Sequence, residues 1–309
     1  MSETLTDNLL WAAARPRLSV LTPFKGDDPT PLLKALAREA QAVPGVEIVL
    51  LDDGTDDPEL SQRIESVVSA LPLPARLVRL AQNEGRAKGR NRLVTHARAQ
   101  SLLFLDSDML PDDEHFLATW LDLVADADPA VAFGGFSLAQ VRPRPDQALH
   151  GAMAAHADCR PAAERRLAPE KHLFTSNLLV RRDVFAGEAF DEGFIGWGWE
   201  DVEWGMRVAR RWSILHIDNP ATHLGLDTAP VIAAKFEQSA ANFARVVAAH
   251  REVVQTYPSY RVARLLKRAP FRGVWRPMLK AYALIEGAPL RTRAFAMRLY
   301  RAALYAEAV

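Results

Sequence analysis

Residues 193–207 read GFIGWGWEDVEWGMR, two tryptophans separated by glycine and followed by two acids that open a helix-like stretch. Glycine permits unusual backbone angles and close approach of a ligand. Trp197 or Trp199 would offer a flat apolar face to a sugar ring, while Glu200 and Asp201 accept its hydroxyl groups. A packed pair of tryptophans before an acidic helix start explains the same letters without any ligand, because the helix macrodipole favours acids there. Asp106 and Asp108, with Ser107 between them, follow the apolar run LLFL. A bend at a strand end lets both carboxylates approach one ligand, and hard oxygen donors suit Mg2+ or Mn2+. Asp126 and Asp128 have the same spacing but no strand before them, and read as a solvated helix end.

Three further stretches carry candidate chemistry. Asp52 and Asp53 precede Gly54 at the end of the run VEIVLL, as a turn with a helix cap or as carboxylates for a base N–H or a ribose hydroxyl. Residues 83–91 (NEGRAKGRN) hold Arg86, Lys88 and Arg90 at a helix start. They read equally as exposed polar positions or as contacts to an anionic diphosphate, aided by free helix N–H groups. His223 lies just past a strand in NPATHLG, and the other seven histidines show no pairing at metal-ligand spacing.

These residues need a frame. Apolar runs at residues 17–22, 46–51, 75–80 and 102–105 alternate with helical patterns near 31–41, 58–71 and 83–99. That alternation predicts right-handed crossovers and a mostly parallel α/β sheet, with ligands bound at the carboxyl ends of its strands. Residues 131–138, 174–180 and 212–217 read as further strands, residues 200–211 as a helix, and nearly everything after residue 230 as helix broken at proline. The expected division is an N-terminal extension over 1–16, a catalytic domain over 17–229 and a helical C-terminal region over 230–309.

Composition narrows the class. The chain has 309 residues, 49% of them hydrophobic, so disorder and coiled coil are excluded. Its single cysteine, Cys159, excludes a disulfide framework and a multi-cysteine zinc site, and fits a reducing compartment. No apolar run is long enough to span a bilayer, and the acidic start does not read as a signal peptide. The expected setting is the cytoplasm, with peripheral placement at the inner face of a membrane as an option. The zero net charge hides an asymmetry: residues 260–309 hold 11 Lys/Arg against two acids, Glu286 and Glu307. That tail reads as helices packed on the catalytic domain, or as an amphipathic surface on anionic lipid. Nucleic acid is not expected, since no recognition motif accompanies the charge.

Taken in order, LSVLTPF, VEIVLLDDGTDD, NEGRAKGRN, LLFLDSDM, GWGWEDVEWGMR and ATHLG resemble a family-2 glycosyltransferase with the Rossmann-like GT-A fold, over about residues 17–226. The GWGWED segment is similar to the motif shared by chondroitin-polymerase-type enzymes, β-1,4-galactosyltransferases and polypeptide N-acetylgalactosaminyltransferases. The resemblance implies a UDP-sugar donor and a glycan or lipid-linked glycan acceptor. It implies that Thr22 and Phe24 line the base pocket, that Asp53 recognises uracil and ribose with Asp52 nearby, and that Asp106 and Ser107 contact the nucleotide. Asp108 would bind Mn2+ or Mg2+ directly, with Asp106 beside it and His223 as second protein ligand. Asp201 would be general base of an inverting transfer, and Glu200 would hold sugar hydroxyls. Retaining polypeptide transferases carry Asn where this chain has Asp201. Two departures stand out: Pro23-Phe24-Lys25 replaces the usual polar residue after the first strand, and Gly89 stands where the loop signature has Ala. A sugar nucleotidyltransferase and a non-catalytic glycan- or membrane-binding module are the competing classes; the GWGWED segment has no place in the first.

Overall fold

The computed structural model describes residues 3–309. Its strands and helices follow the alternation in the sequence. Strand β1 (Glu3–Asp7) precedes β2 (Leu18–Phe24), α1 (Thr30–Ala40), β3 (Val46–Asp52), α2 (Pro58–Ala70), β4 (Ala75–Leu80), α3 (Arg86–His96) and β5 (Ser101–Leu105). Then come β6 (Met109–Pro111), α4 (Phe116–Asp126), β7 (Val131–Phe133), β8 (Phe136–Ser137), α5 (Ala148–Ala157) and α6 (Ala162–Arg165). Strand β9 (Asn177–Arg181), α7 (Arg182–Gly187), α8 (Glu200–Val208), β10 (Ile214–His216) and β11 (Ala221–His223) complete the sheets. Four helices close the chain: α9 (Ala229–Val254), α10 (Pro258–Lys267), α11 (Arg272–Leu284) and α12 (Leu290–Tyr305).

Eight strands form the main sheet in the order β1-β4-β3-β2-β5-β9-β7-β10. Four of its seven pairings are parallel, and β1, β9 and their partners supply the antiparallel ones. Strands β2, β3 and β5 are buried nearly throughout, as expected of parallel strands covered on both faces. One core packs Leu32 and Leu36 of α1, Ile64 of α2 and Trp120 of α4 on the sheet. On the opposite face, Leu93 of α3, Val184 of α7 and Trp204 of α8 build the other. Pro23 falls within β2, beyond Leu21, the last residue that pairs with β5, so its missing N–H breaks no ladder bond on that side.

Two expectations are corrected. The residues expected as an N-terminal extension are joined to the sheet: β1 pairs with β4 as an edge strand, and Asn8 ties its amide to Leu71 and Leu73 carbonyls. Trp11 is buried under the guanidinium of Arg98, 3.7 Å from its ring centroid. Met1 and Ser2 lie outside the described residues. The single strand expected over 131–138 is divided at Gly134 and Gly135. Gly135 has φ +108°, a region that excludes most side chains, and the chain crosses there into a second sheet.

That second sheet, β6-β11-β8, bears directly on the site. Strand β11 runs antiparallel to β6 with His223 opposite Met109, so the histidine is set beside Asp108 by backbone register. The C-terminal helices do not stand apart. Helices α9, α10 and α12 join Phe194 and Met206 in a shared core with Phe243, Tyr257 and Tyr305, while Phe236, Met297 and Tyr300 pack against α5. Among the described residues, no helix is long and apolar enough to cross a membrane.

Candidate active site

A cavity of about 450 Å3 opens where β5, β6, β11 and the start of α8 converge. Asp106, Asp108, Glu200, Asp201, His223, Trp197, Trp199 and Arg86 all line it. Residues separated by more than a hundred positions therefore share one space.

The metal-type pair is built by the small sheet. His223 Nε2 lies 3.1 Å from Asp108 Oδ2, and the Leu224 N–H donates to the Asp108 carbonyl at 2.8 Å. Burial pushes the Asp108 carboxyl up, but its bond to His223 outweighs that and holds it below the usual range. Burial likewise pushes the His223 imidazole down, and Asp108 outweighs it to hold the ring above its ordinary value. Gly225 is required here, since a Cβ at that position would run into the Asp108 carboxylate.

The second acidic pair opens α8. Glu200, Asp201 and Glu203 occupy its first turn, where the macrodipole favours negative charge. Trp199 precedes the helix with φ +78°, a left-handed conformation costly for a bulky residue and held only by its surroundings. Those surroundings are explicit: the indole packs 4.9 Å from Phe243, and its Nε1–H donates to the Tyr305 hydroxyl at 2.9 Å. Trp197 packs on Phe236 at 6.1 Å and lies beneath Lys235. Burial, and then the neighbouring Glu200 charge, raise the Asp201 carboxyl to about 7.

Two arginines of α3 join the pairs. Arg86 Nε donates to Glu200 Oε1 at 2.8 Å, and its Nη2 lies 3.6 Å from Asp106 Oδ2. Arg90 Nη2 donates to Asp106 Oδ1 at 2.7 Å, with Nη1 3.6 Å from Glu200. Burial opposes the Arg86 charge, but Glu200 and Asp106 outweigh it and raise its affinity for the proton. Among the described residues, Glu200 Oε2 is buried without a partner, leaving an acceptor beside the cavity.

Several expected contacts lie elsewhere. Asp52 is fully buried, takes the Thr55 N–H at 2.9 Å and faces Arg79, as a turn residue does. The cap expected of this segment comes instead from Asp57, which accepts the Glu59 and Leu60 amides. Asp53 accepts from the amides of Glu84 and Gly85 at 2.6 and 3.0 Å and holds the 83–85 loop. Thr22, Phe24 and Ser107 are buried and, like Asp52 and Asp53, do not line the cavity. Phe24 belongs to the core beneath α1. Arg90, expected at a diphosphate, is 1% exposed and engaged with two acids, so it positions them instead. Lys88 pairs with Glu84.

Sequence reasoning missed other residues on these walls. His150 of α5 stacks edge-on to His223 at 5.9 Å, and its Nδ1 accepts the Asp227 N–H at 2.7 Å. Asp227 in turn pairs with Lys235 at 2.6 Å. Arg298 and Arg301 of α12 also face the cavity. Nothing local marks His150, which lies between stretches rich in Arg, Pro and Ala. The arginines were visible as a basic cluster whose direction only the packed helices reveal.

The described residues contain no group of three His, Cys, Asp or Glu side chains placed to hold a metal by themselves. Asp108 and His223 bring one carboxylate and one imidazole together, too few to hold an ion unless water or a ligand's oxygens complete the shell.

Comparison with known proteins agrees with this layout. At TM-score 0.58 and 16% identity, the chain is similar to a mannosyltransferase from Pyrobaculum calidifontis in complex with GDP-Man and Mn2+, with 97% of this chain and 89% of that one covered. It is similar to residues 1–349 of S. aureus TarS at TM-score 0.51 and 17% identity, covering 92% and 89%. These likenesses show the fold: a GT-A-type α/β domain with a helical C-terminus. In sequence it is 30% identical over 121 residues to a Mycobacterium tuberculosis protein described as putative glycosyltransferases, covering 38% of this chain and 34% of that one. Over 100 residues it is 30% identical to polypeptide N-acetylgalactosaminyltransferase 3 of Drosophila melanogaster, covering 31% and 15%. The matched stretches thus span about a third or less of those relatives. The model of glycosyl transferase family 2 matches residues 19–186, more than half of the sequence, and the chain belongs to that family.

Proposed function

We propose that the protein is a metal-dependent inverting glycosyltransferase that moves a sugar from a UDP-sugar to a hydroxyl of a glycan or lipid-linked glycan. The observation that carries this reading is the convergence of Asp108–His223 and Glu200–Asp201 on one cavity, where Arg86 links Glu200 to Asp106. Asp108 and His223 would hold Mn2+ or Mg2+, with Asp106 beside them. Bound there, such an ion would supply positive charge against the departing diphosphate. Asp201 takes the proton of the acceptor hydroxyl as its oxygen attacks the anomeric carbon and the bond to the diphosphate breaks. A carboxyl poised at about 7 is half ionised near neutral pH, which suits a general base. The unpartnered Glu200 Oε2 accepts from a sugar hydroxyl, and Trp197 offers its face to the ring. The solved relatives include TarS with UDP and the mannosyltransferase with GDP-Man, so the base is tested directly.

The test is a panel of UDP- and GDP-sugars with and without Mn2+, followed by melting temperature and nucleotide release. A UDP-sugar that stabilises and is hydrolysed only with metal supports the reading. Pyrophosphate release from a nucleoside triphosphate and a sugar phosphate would replace it with a nucleotidyltransferase, and UDP binding without turnover across acceptors with a binding module.

The reading extends to an anionic membrane surface. In its support, Leu265, Phe271, Val274, Met278, Ile285 and Phe295 are all more than half exposed on α10 to α12 and their connections. Exposed Arg261, Arg264, Lys267, Arg268 and Arg291 lie along the same segment. Phe271 has φ +58°. Apolar side chains flanked by cations match the chemistry of an anionic interface, each basic residue adding about 1 kcal/mol. Sedimentation with phosphatidylglycerol vesicles, abolished in F271D/M278D and absent with phosphatidylcholine, is the expected result. Equal recovery with both lipids removes the membrane from the proposal.

A further inference from the structure

The basic tail does not present all of its charge to solvent. Arg298 and Arg301 of α12 enter the same cavity that holds Glu200 and Asp201, and Lys171, from the turn Pro169–His172, lines it too. All three are half-buried, and among the described residues none makes an ion pair or a side-chain hydrogen bond. Most other cations around the site are paired: Arg86 with Glu200, Lys235 with Asp227, His223 with Asp108. Three cations without counterions leave this part of the cavity with positive charge that a bound anion would neutralise. Their side chains are placed as well: Arg301 lies over the Phe236 ring at 5.0 Å, and Lys171 over Tyr257 at 5.4 Å. Asp158 also lines this wall, and its charge acts on Arg301 without closing an ion pair, so the cations still outnumber it. Ser176 adds to the same cavity a buried hydroxyl that has no partner among the described residues.

We propose that Arg298, Arg301 and Lys171 form a subsite for a phosphate or carboxylate carried by the acceptor, so that the enzyme glycosylates an anionic acceptor. The inference rests on the transferase reading above, because it takes the wall supplied by α12 and the Pro169–His172 turn to be the acceptor side of the cavity. Guanidinium groups suit it, since their fork matches both oxyanions and they keep their charge at any working pH.

The experiment titrates glucose 6-phosphate, glucuronate and neutral glucose into the full chain, with UDP and Mg2+ present and again without them. At least one anionic sugar is expected to bind about tenfold or more tighter than glucose, and which one distinguishes phosphate from carboxylate. R298Q/R301Q should lose about tenfold for each arginine, R301K should recover only part of its share because an ammonium keeps the charge without the fork, and UDP affinity should not move. R298Q alone, at a position with no partner to lose, serves if the double variant melts early. Equal affinity for glucose and both anions, undiminished anion binding in the variants, or a parallel loss of UDP affinity would each overturn the subsite, the last by assigning the arginines to the donor. Failure of UDP to bind the unaltered chain with Mg2+ would instead strike the transferase reading, while the comparison without UDP still tests the anion subsite.

Discussion

Strands β3 and β5 flank β2 in the sheet, and each ends at carboxylates: Asp52 and Asp53 on one, Asp106 and Asp108 on the other. The first pair meets backbone amides, with Thr55, Glu84 and Gly85 donating to it. The second meets Arg90, Arg86 and His223, all supplied from other parts of the chain, and opens onto a cavity. Acids at a strand end are therefore an opportunity rather than a function. Which donors arrive decides whether the charge holds a loop or remains available to a ligand.

The largest test of that difference is Asp108→Ala. It should lower metal-dependent transfer by about a thousandfold, as loss of several kcal/mol of charge stabilisation implies, with little change in melting temperature. A variant that keeps its rate in Mn2+ would remove β5 from the chemistry. Asp201→Asn comes next, with kcat reduced about 10²–10⁴-fold and donor affinity retained. For the unaltered chain, kcat/KM should rise with pH through about 7, because below it the carboxyl is protonated and cannot accept a proton. The same raised value carries a stability consequence. Folding favours the protonated form, so its contribution is present at low pH and lost as pH climbs toward 7. Asp201→Asn should therefore raise the melting temperature more at pH 8 than at pH 4, and an equal gain at both would contradict the raised carboxyl.

Asp53→Ala sharpens the comparison from the other side. Losing a buried acceptor of two amides should cost about 1–3 kcal/mol in denaturant unfolding, with any loss of activity following the loss of structure. If stability holds and UDP affinity collapses, β3 carries ligand chemistry after all. Tyr305→Phe is the mildest, removing one hydroxyl shared by Trp199 and Ser239 for about 1 kcal/mol, visible as a small fall in melting temperature.

Much of the frame is legible in sequence, because β2, β3 and β5 are largely apolar runs, β4 is an apolar stretch broken by Arg76 and Arg79, and α1 and α2 carry regular apolar spacing. Strand β1 is not, since ETLTD holds its place through backbone pairing at an edge and most of its side chains face water. The strand expected from residue 174 begins at Asn177, after buried Thr175 and Ser176 in the preceding turn. At the site, Asp106, Asp108, Glu200, Asp201 and His223 were all recognisable from motif order and meet in space. The inward direction of Arg298 and Arg301 was not, because a basic helix reads alike whether its arginines face lipid, water or a cavity, and only the packing of α12 on α5 and α9 decides it.

That packing has a consequence for how the enzyme would fail. The indole hydroxyl contact between Trp199 and Tyr305 fastens the loop ahead of Asp201 to the last helix, outside the family-matched span. A protease nick in the turn before Leu290, followed by loss of the released piece, would spare the eight-stranded sheet and the Asp108–His223 pair. What remained would keep its strand-end carboxylates and lose both the clasp on the loop ahead of Asp201 and one wall of the cavity.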